Sequence, residues 1–222
     1  MTHQTLPEFP RHAALWERVL ACMDGIDIAH DRLHVLRVYR WAVRLAPEAG
    51  ANEDLTGAAA LVHDLVNIPK EDRDRPLGSE RSAIASQGLL SDSGYSVMEV
   101  TEIVEAVRTC SWSRGMAPTN PIGAALQDAD RIDALGAVGI ARTFATAQAM
   151  ASRGQPSRFY DPADPMGATG RMLDDRRQPI DHFHIKLLKL AETMHTETGR
   201  AEGARRHKRM VAFLNDFEAE IG

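Results

Sequence analysis

The chain has 222 residues, 44% hydrophobic, 26% charged and 5% aromatic, a composition that supports a packed globular core and excludes a disordered or fibrous protein. Its formal charge of −5 gives no global attraction to nucleic acid or to an anionic membrane, so any affinity for phosphate must be local. The two cysteines, Cys22 and Cys110, form no C-x-x-C pair, which excludes a disulfide framework and a cysteine zinc cage and fits a reducing cytoplasm.

The N-terminal stretch MTHQTLPEFPRHAALWERVLAC carries charges where a secretory signal needs an apolar run. Nowhere do about 18 apolar residues follow one another, so membrane insertion is not expected. Length favours one domain over 1–222, with a core at about 14–150, a loop at about 152–179 and a C-terminal helical hairpin at about 180–221.

Leu15, Trp16, Val19, Leu20 and Met23 recur at helical spacing, and Asp24-Gly25 supplies a stop. Asp31 is placed to cap a second helix that puts His34 in its first turn and stops before Pro47. The segment LTGAAALVHDLV is apolar nearly all round, as in a helix buried on every side, and contains His63 and Asp64. Asn67-Ile68-Pro69 ends it, and the charged loop KEDRDRPLG leads to a helix that Ser79 would cap.

Ser96 and Glu99 form a capping box for the next helix. A helical stretch then runs from about Ile122 to Met150 and contains DADRID. The polar Gly/Pro/Asp segment from Ser152 to Pro179 has no sustained period and reads as a lid or linker. Two helices, IDHFHIKLLKLAETMHTETG and RAEGARRHKRMVAFLNDFEAEI, complete an all-α fold of about eight or nine helices.

His-Asp occurs at 30–31 and at 63–64. Asp31 at a helix start is ordinary capping chemistry, whereas His63-Asp64 lies between Leu61-Val62 and Leu65-Val66. A buried imidazole and carboxylate need compensation, either by hydrogen bonding each other inside a core or by sharing a cation. The spacing alone leaves both open.

The order His34, His63-Asp64, Asp130 resembles the H…HD…D pattern of the HD superfamily of metal-dependent phosphohydrolases. HDRLHVLRV, ALVHDLVNIPKEDRDR, QDADRIDALGAVGIARTF and DHFHIKLLKL are similar to segments of a bacterial branch that includes nucleotide pyrophosphohydrolases. The resemblance implies an HD-like helical bundle and one divalent metal on His34, His63, Asp64 and Asp130. Such an N/O donor set suits manganese, the favoured ion, or iron, cobalt, magnesium or nickel. No histidine lies between Asp64 and Asp130, where HD enzymes with two or three metals usually draw extra ligands.

The activity implied is hydrolysis of a nucleotide phosphoanhydride or phosphoester by a metal-activated water, with Asp64 and Lys70 as catalytic groups. Lys70, Arg73, Arg75, His182 and Lys186 would bind substrate, with Asp181 beside them on the far wall. Arg131 and Asp133 would pair to orient Asp130. Cys110, in TCSWSRG, stands where members of the branch often carry histidine. That departure motivates the alternative of an impaired HD module that binds nucleotide or metal in a regulatory role. The partner expected is a small phosphorylated substrate, with no nucleic acid or membrane, and self-association is left open. The basic run Arg205, Arg206, Lys208 and Arg209 reads as a solvated helix face.

Overall fold

The computed structural model describes residues 9–23 and 28–222, and over these the chain is all helical. Counting 179–193 as one helical run gives nine helices. The stop assigned to Asp24-Gly25 lies outside the described residues.

Helix α1 (Pro10–Cys22) starts on Pro10, whose fixed φ and missing N–H suit a first turn. Helix α2 (Arg32–Ala49) is capped by Asp31, whose side chain accepts from the Leu33 and His34 amides. It runs past Pro47, contrary to the expected stop. Proline in the last turn removes one hydrogen bond, and Gly50 (φ 72°) closes the end instead, its amide donating to the carbonyls of Ala46 and Pro47.

Helix α3 (Glu53–Val62) is buried from Leu55 to Val62 and caps on Asn52. Its Gly57 lets three helices meet: a Cβ there would lie 2.5 Å from His12 Cε1 and 2.9 Å from Tyr39 Cε2. The helix ends at Val62, four residues earlier than its apolar pattern suggests. His63 and Asp64 therefore sit in the turn that follows, where the Val66 amide is taken by the Ser82 hydroxyl (3.0 Å) instead of a helical carbonyl.

Helix α4 (Gly78–Asp92) follows a 3₁₀ turn, Arg75–Leu77. Ser79 is not its cap but lies inside it, donating to the Arg108 carbonyl at 3.2 Å. Helix α5 (Val97–Thr109) carries the expected capping box, with both the Ser96 and the Glu99 bonds formed.

The stretch expected as one helix over 122–150 is two, α6 (Pro121–Asp133) and α7 (Gly136–Ser152). Leu135 is extended and Gly136 adopts φ 73°, a left-handed conformation that only glycine takes without cost. After the segment 153–178 come α8 (Pro179–His182), a π-helical turn (Phe183–Leu187) and α9 (Leu188–Leu190), then α10 (Glu197–Ile221). The first closing helix thus ends near 193, short of its expected C-terminus, and Thr196 caps α10.

Helix α2 packs against α3 and α6, and α4 against α5. One apolar cluster, including Leu15, Val38, Leu61, Ile103 and Leu126, fills the space among α1 to α6. A second, including Leu45, Ile132, Phe183, Leu190 and Met210, joins α2 and α6 to the C-terminal helices. Fully burying such side chains is worth roughly 1.5–3 kcal/mol each. In the basic run of α10, Arg205 and Arg206 share one partner, Glu202, at 2.6 Å.

Candidate metal centre and cleft

The Asp31 cap places His34 in the first turn of α2, facing α6 and fully buried. Its Nδ1 donates to Asp133 Oδ2 at 2.8 Å. His63 follows α3, and its Nδ1 donates to the Ala60 carbonyl at 2.8 Å. With both Nδ1 protons committed, the two Nε2 atoms carry lone pairs, and they face each other at 3.3 Å. Two neutral imidazoles held this way repel unless a positive species lies between them.

Carboxylates complete the cluster. Asp64 Oδ2 lies 3.4 Å from His34 Nε2 and 3.7 Å from His63 Nε2, and Asp130 Oδ1 lies 3.8 Å from His34 Nε2. One donor atom from each of His34, His63 and Asp130 falls within 4.8 Å of the others. Burial would raise the Asp64 carboxyl, yet the neighbouring histidines hold it well below the usual range. Burial and the Arg142 charge would lower His34, but its hydrogen bond to Asp133 and the neighbouring Asp64 carboxylate raise it, so the spot favours positive charge. Donors on one first-row ion with bonds near 2.1 Å are separated by about 3.0–3.4 Å, close to the spacings seen here. Two imidazoles and two carboxylates also neutralise a divalent charge, so the residues fit such an ion.

Asp133 does not pair with Arg131. Its carboxylate accepts from His34, from Arg37 (2.6 and 3.1 Å) and from Arg142 (3.0 Å). Burial would raise that carboxyl, but these partners hold it well below its ordinary value. Arg131 points away, donating to Gln127 Oε1 at 2.6 Å and to the Thr193 carbonyl. The two are adjacent-but-one on a helix, a spacing that sends side chains to different faces.

The cluster opens on a cleft of about 560 Å³ whose lining includes Lys70, Arg73, Arg75, Cys110, His182 and Lys186. Lys70 is held by Asp175 (2.8 Å), to which His182 Nδ1 also donates at 2.7 Å. Burial, then the positive charge of Lys70 and Lys186 against the Asp175 bond, takes His182 down to about 4. Arg75 donates to Asn67 Oδ1 (3.0 Å) and to the Ile68 carbonyl. Arg73 stands at the rim with 96% of its side chain exposed. Lys186 Nζ lies 5.6 Å from the Trp112 ring centre, and burial pushes it down to about 8. Cys110 is buried, its thiol raised first by burial and then by Asp130 and Asp64.

Asp181 does not line the cleft as expected. It is fully buried and takes a two-pronged bond from Arg171 (2.7 and 2.6 Å) plus the Asp174 amide (2.7 Å), anchoring the 153–178 segment. That segment in turn brings Asp175 and Arg176 to the cleft, and α7 brings Arg142, Thr143 and Met150. Sequence reasoning missed these four wall residues and Asp175. It also missed Arg37 as a partner of Asp133, for which the one signal available was its place three residues from His34 on the same face of α2.

The HD domain family model matches residues 33–135. YpgQ of Bacillus subtilis (strain 168) is 33% identical over 197 residues, 86% of this chain and 84% of YpgQ. The chain belongs to the HD-domain superfamily. This is a superfamily of metal-dependent phosphohydrolases, and HD domains bind divalent metals. A crystal structure from Lactobacillus plantarum is similar at TM-score 0.75 and 30% identity, covering 97% of this chain and 98% of that one. YpgQ in complex with ADP is similar at TM-score 0.67 and 28% identity over 95% and 97% of the two chains. An HD-superfamily hydrolase from Bacillus thuringiensis is similar at 0.66 and 28%, over 95% and 96%. Among the described residues no helix is long and apolar enough to cross a membrane.

Proposed function

We propose that this HD protein hydrolyses a phosphoanhydride or phosphoester bond of a small nucleotide, with one divalent ion, manganese by preference, held by His34, His63, Asp64 and Asp130. The observation that carries the reading is the 3.3 Å approach of two imidazole lone pairs beside the Asp64 carboxylate, at the floor of a cationic cleft. A divalent ion there would supply Lewis acidity toward a phosphate oxygen and lower the pKa of coordinated water.

The chain's own residues supply the rest. Asp64 keeps 28% of its side chain exposed, so one carboxylate can face both the imidazoles and a water in the cleft. Arg75 and Lys186 have no carboxylate within 4.0 Å among the described residues, which leaves their charge for substrate phosphates. Lys70, by contrast, already gives part of its charge to Asp175, so less of it is available to a phosphate. Nucleotide as the substrate class is supported by the size of the cleft and by the ADP bound to YpgQ.

The test is a panel of ribo- and deoxynucleotides with metal-stripped protein and added Mn²⁺, Mg²⁺, Co²⁺ or Zn²⁺, beside an Asp64→Ala control. Metal-dependent release of phosphate or pyrophosphate, lost in Asp64→Ala, is the expected result. Silence in protein that still binds metal and nucleotide would favour the regulatory module, and Cys110→His would then be the first variant to assay.

A further inference from the structure

We infer that Asp133, clamped by Arg37 and Arg142, is the positioning residue that fixes the tautomer of His34, so that its Nε2 lone pair is presented to a divalent cation. The inference rests on the metal-site reading above and adds to it Asp133 and Arg37, which do not line the cleft, and Arg142, which does.

Asp133 and His34 are 99 positions apart, and the packing of α2 on α6 joins them. Asp133 ends α6 three residues after Asp130, so one helical turn delivers a proposed ligand and the partner of another. The Asp133 side chain is 1% exposed and receives four bonds. Arg37 Nε takes Oδ1 at 2.6 Å, while Arg37 Nη2 (3.1 Å), Arg142 Nη1 (3.0 Å) and His34 Nδ1 (2.8 Å) converge on Oδ2.

Two guanidiniums on one buried carboxylate keep its negative charge where it is, so the shared proton stays on His34 Nδ1. A carboxylate partner both orients a ligating imidazole and makes its other nitrogen a better donor. Arg142 also donates from Nε to the Ala29 carbonyl at 2.7 Å, tying the approach to α2 into the same cluster. His63 reaches the same tautomer through a backbone carbonyl, which no substitution removes. His34 is therefore the imidazole whose tautomer depends on side chains.

An asparagine at 133 is nearly isosteric, but it must turn its NH₂ either toward Arg37 or toward His34, so it cannot satisfy both. The test compares wild-type, Asp133→Asn and Arg37→Gln proteins, each stripped of metal. Nitrogen-resolved NMR of ¹⁵N-histidine protein at pH 8 reads the tautomer, calorimetric Mn²⁺ titration reads affinity, and circular dichroism reads folding. The expected result is an Nδ1-protonated His34 in the wild type, a changed signature in Asp133→Asn, and Mn²⁺ affinity about 10–100-fold weaker, with a smaller loss in Arg37→Gln. A folded Asp133→Asn that keeps the wild-type tautomer, or binds Mn²⁺ equally well, overturns the inference. If Asp133→Asn does not fold, an Nε2-protonated His34 in the wild type, or unchanged Mn²⁺ affinity in Arg37→Gln, overturns it instead. Wild-type protein with the Nδ1–H tautomer but no Mn²⁺ binding would sink the metal reading and leave the tautomer lock supported.

Discussion

The Nε2 atoms of His34 and His63 face each other across 3.3 Å, each imidazole having spent its Nδ1 proton elsewhere. Folding holds this arrangement against its own repulsion, and an unfolded chain has no such site. A divalent ion at the proposed site should therefore bind the native state selectively and stabilise it by about 2.7 kcal/mol at a free concentration 100 times Kd. For a chain of this size that raises Tm by roughly 5–10 °C. Thermal melts with Mn²⁺ and then excess chelator check it. A Tm that ignores both would count against the site, and His63→Ala should abolish the response while Asp64→Ala reduces it.

Lys186 supplies a pH test with two opposite signs. Burial takes its folded pKa down to about 8, against an ordinary value of 10.5. Between those values the unfolded chain binds the proton and the folded chain does not, so Lys186 makes stability rise with pH across the window. Over the same window the cleft loses a positive charge, and affinity for ADP or pyrophosphate falls. Ligand titrations and melts at pH 7 and 9.5, in wild type and Lys186→Met, separate the two effects. The variant should show weaker binding at pH 7 and a flatter pH dependence of both quantities. An unchanged ADP affinity in Lys186→Met at pH 7 removes Lys186 from the phosphate contacts.

Local signals were legible and long-range ones were not. The Ser96–Glu99 capping box and the Asp31 cap are written within four residues of sequence and formed as read. The apolar run around His63-Asp64 marked a buried segment, but it did not reveal that the helix stops at Val62, because apolar periodicity continues through Val66. The break between α6 and α7 hangs on the left-handed Gly136 beside Arg206, a tertiary contact 70 positions away. The π-helical turn at Phe183–Leu187 likewise has no sequence period of its own. In the site, the spacing left two readings open, and the resemblance of the His34, His63-Asp64, Asp130 order to the HD pattern pointed to the four proposed ligands. The partner of Asp133 could not be read from neighbouring positions, since α2 supplies it by packing.

Cysteine reactivity should divide cleanly. Cys22 is exposed on α1, and Cys110 is buried at the cleft with its thiol raised by burial and by the Asp130 and Asp64 charges. Because the thiolate is the reactive form, native protein at pH 7.5 should take one equivalent of a thiol reagent quickly and the second only on unfolding. Cys22→Ser should leave no fast equivalent. Fast labelling of Cys110 in that variant would show that its environment is more open or more cationic than the structure has it.

The segment 153–178 is tied to the body of the protein at Asp181, beside the Lys70–Asp175 and Arg153–Glu71 pairs and the ring contacts of Phe159 and Tyr160. Arg171 grips Asp181 with two short bonds, and the Asp174 amide adds a third, all on a carboxylate with no exposed side-chain surface. Removing one partner of a buried pair costs about 3–5 kcal/mol, and the low end, about 3 kcal/mol, is the upper bound here because Arg171 keeps Asp164 at 3.6 Å and some contact with solvent. Asp181→Ala should therefore lower unfolding free energy by at most that amount in urea melts. It should also expose 153–178 to limited proteolysis, because the same bonds fix the loop. The site should suffer through Asp175, which travels with this segment and holds Lys70 and His182. Nucleotide affinity should then change more than Mn²⁺ affinity, since the proposed ligands lie on α2, α6 and the turn after α3. Equal losses of both would mean that Asp181 supports the whole bundle and not the loop.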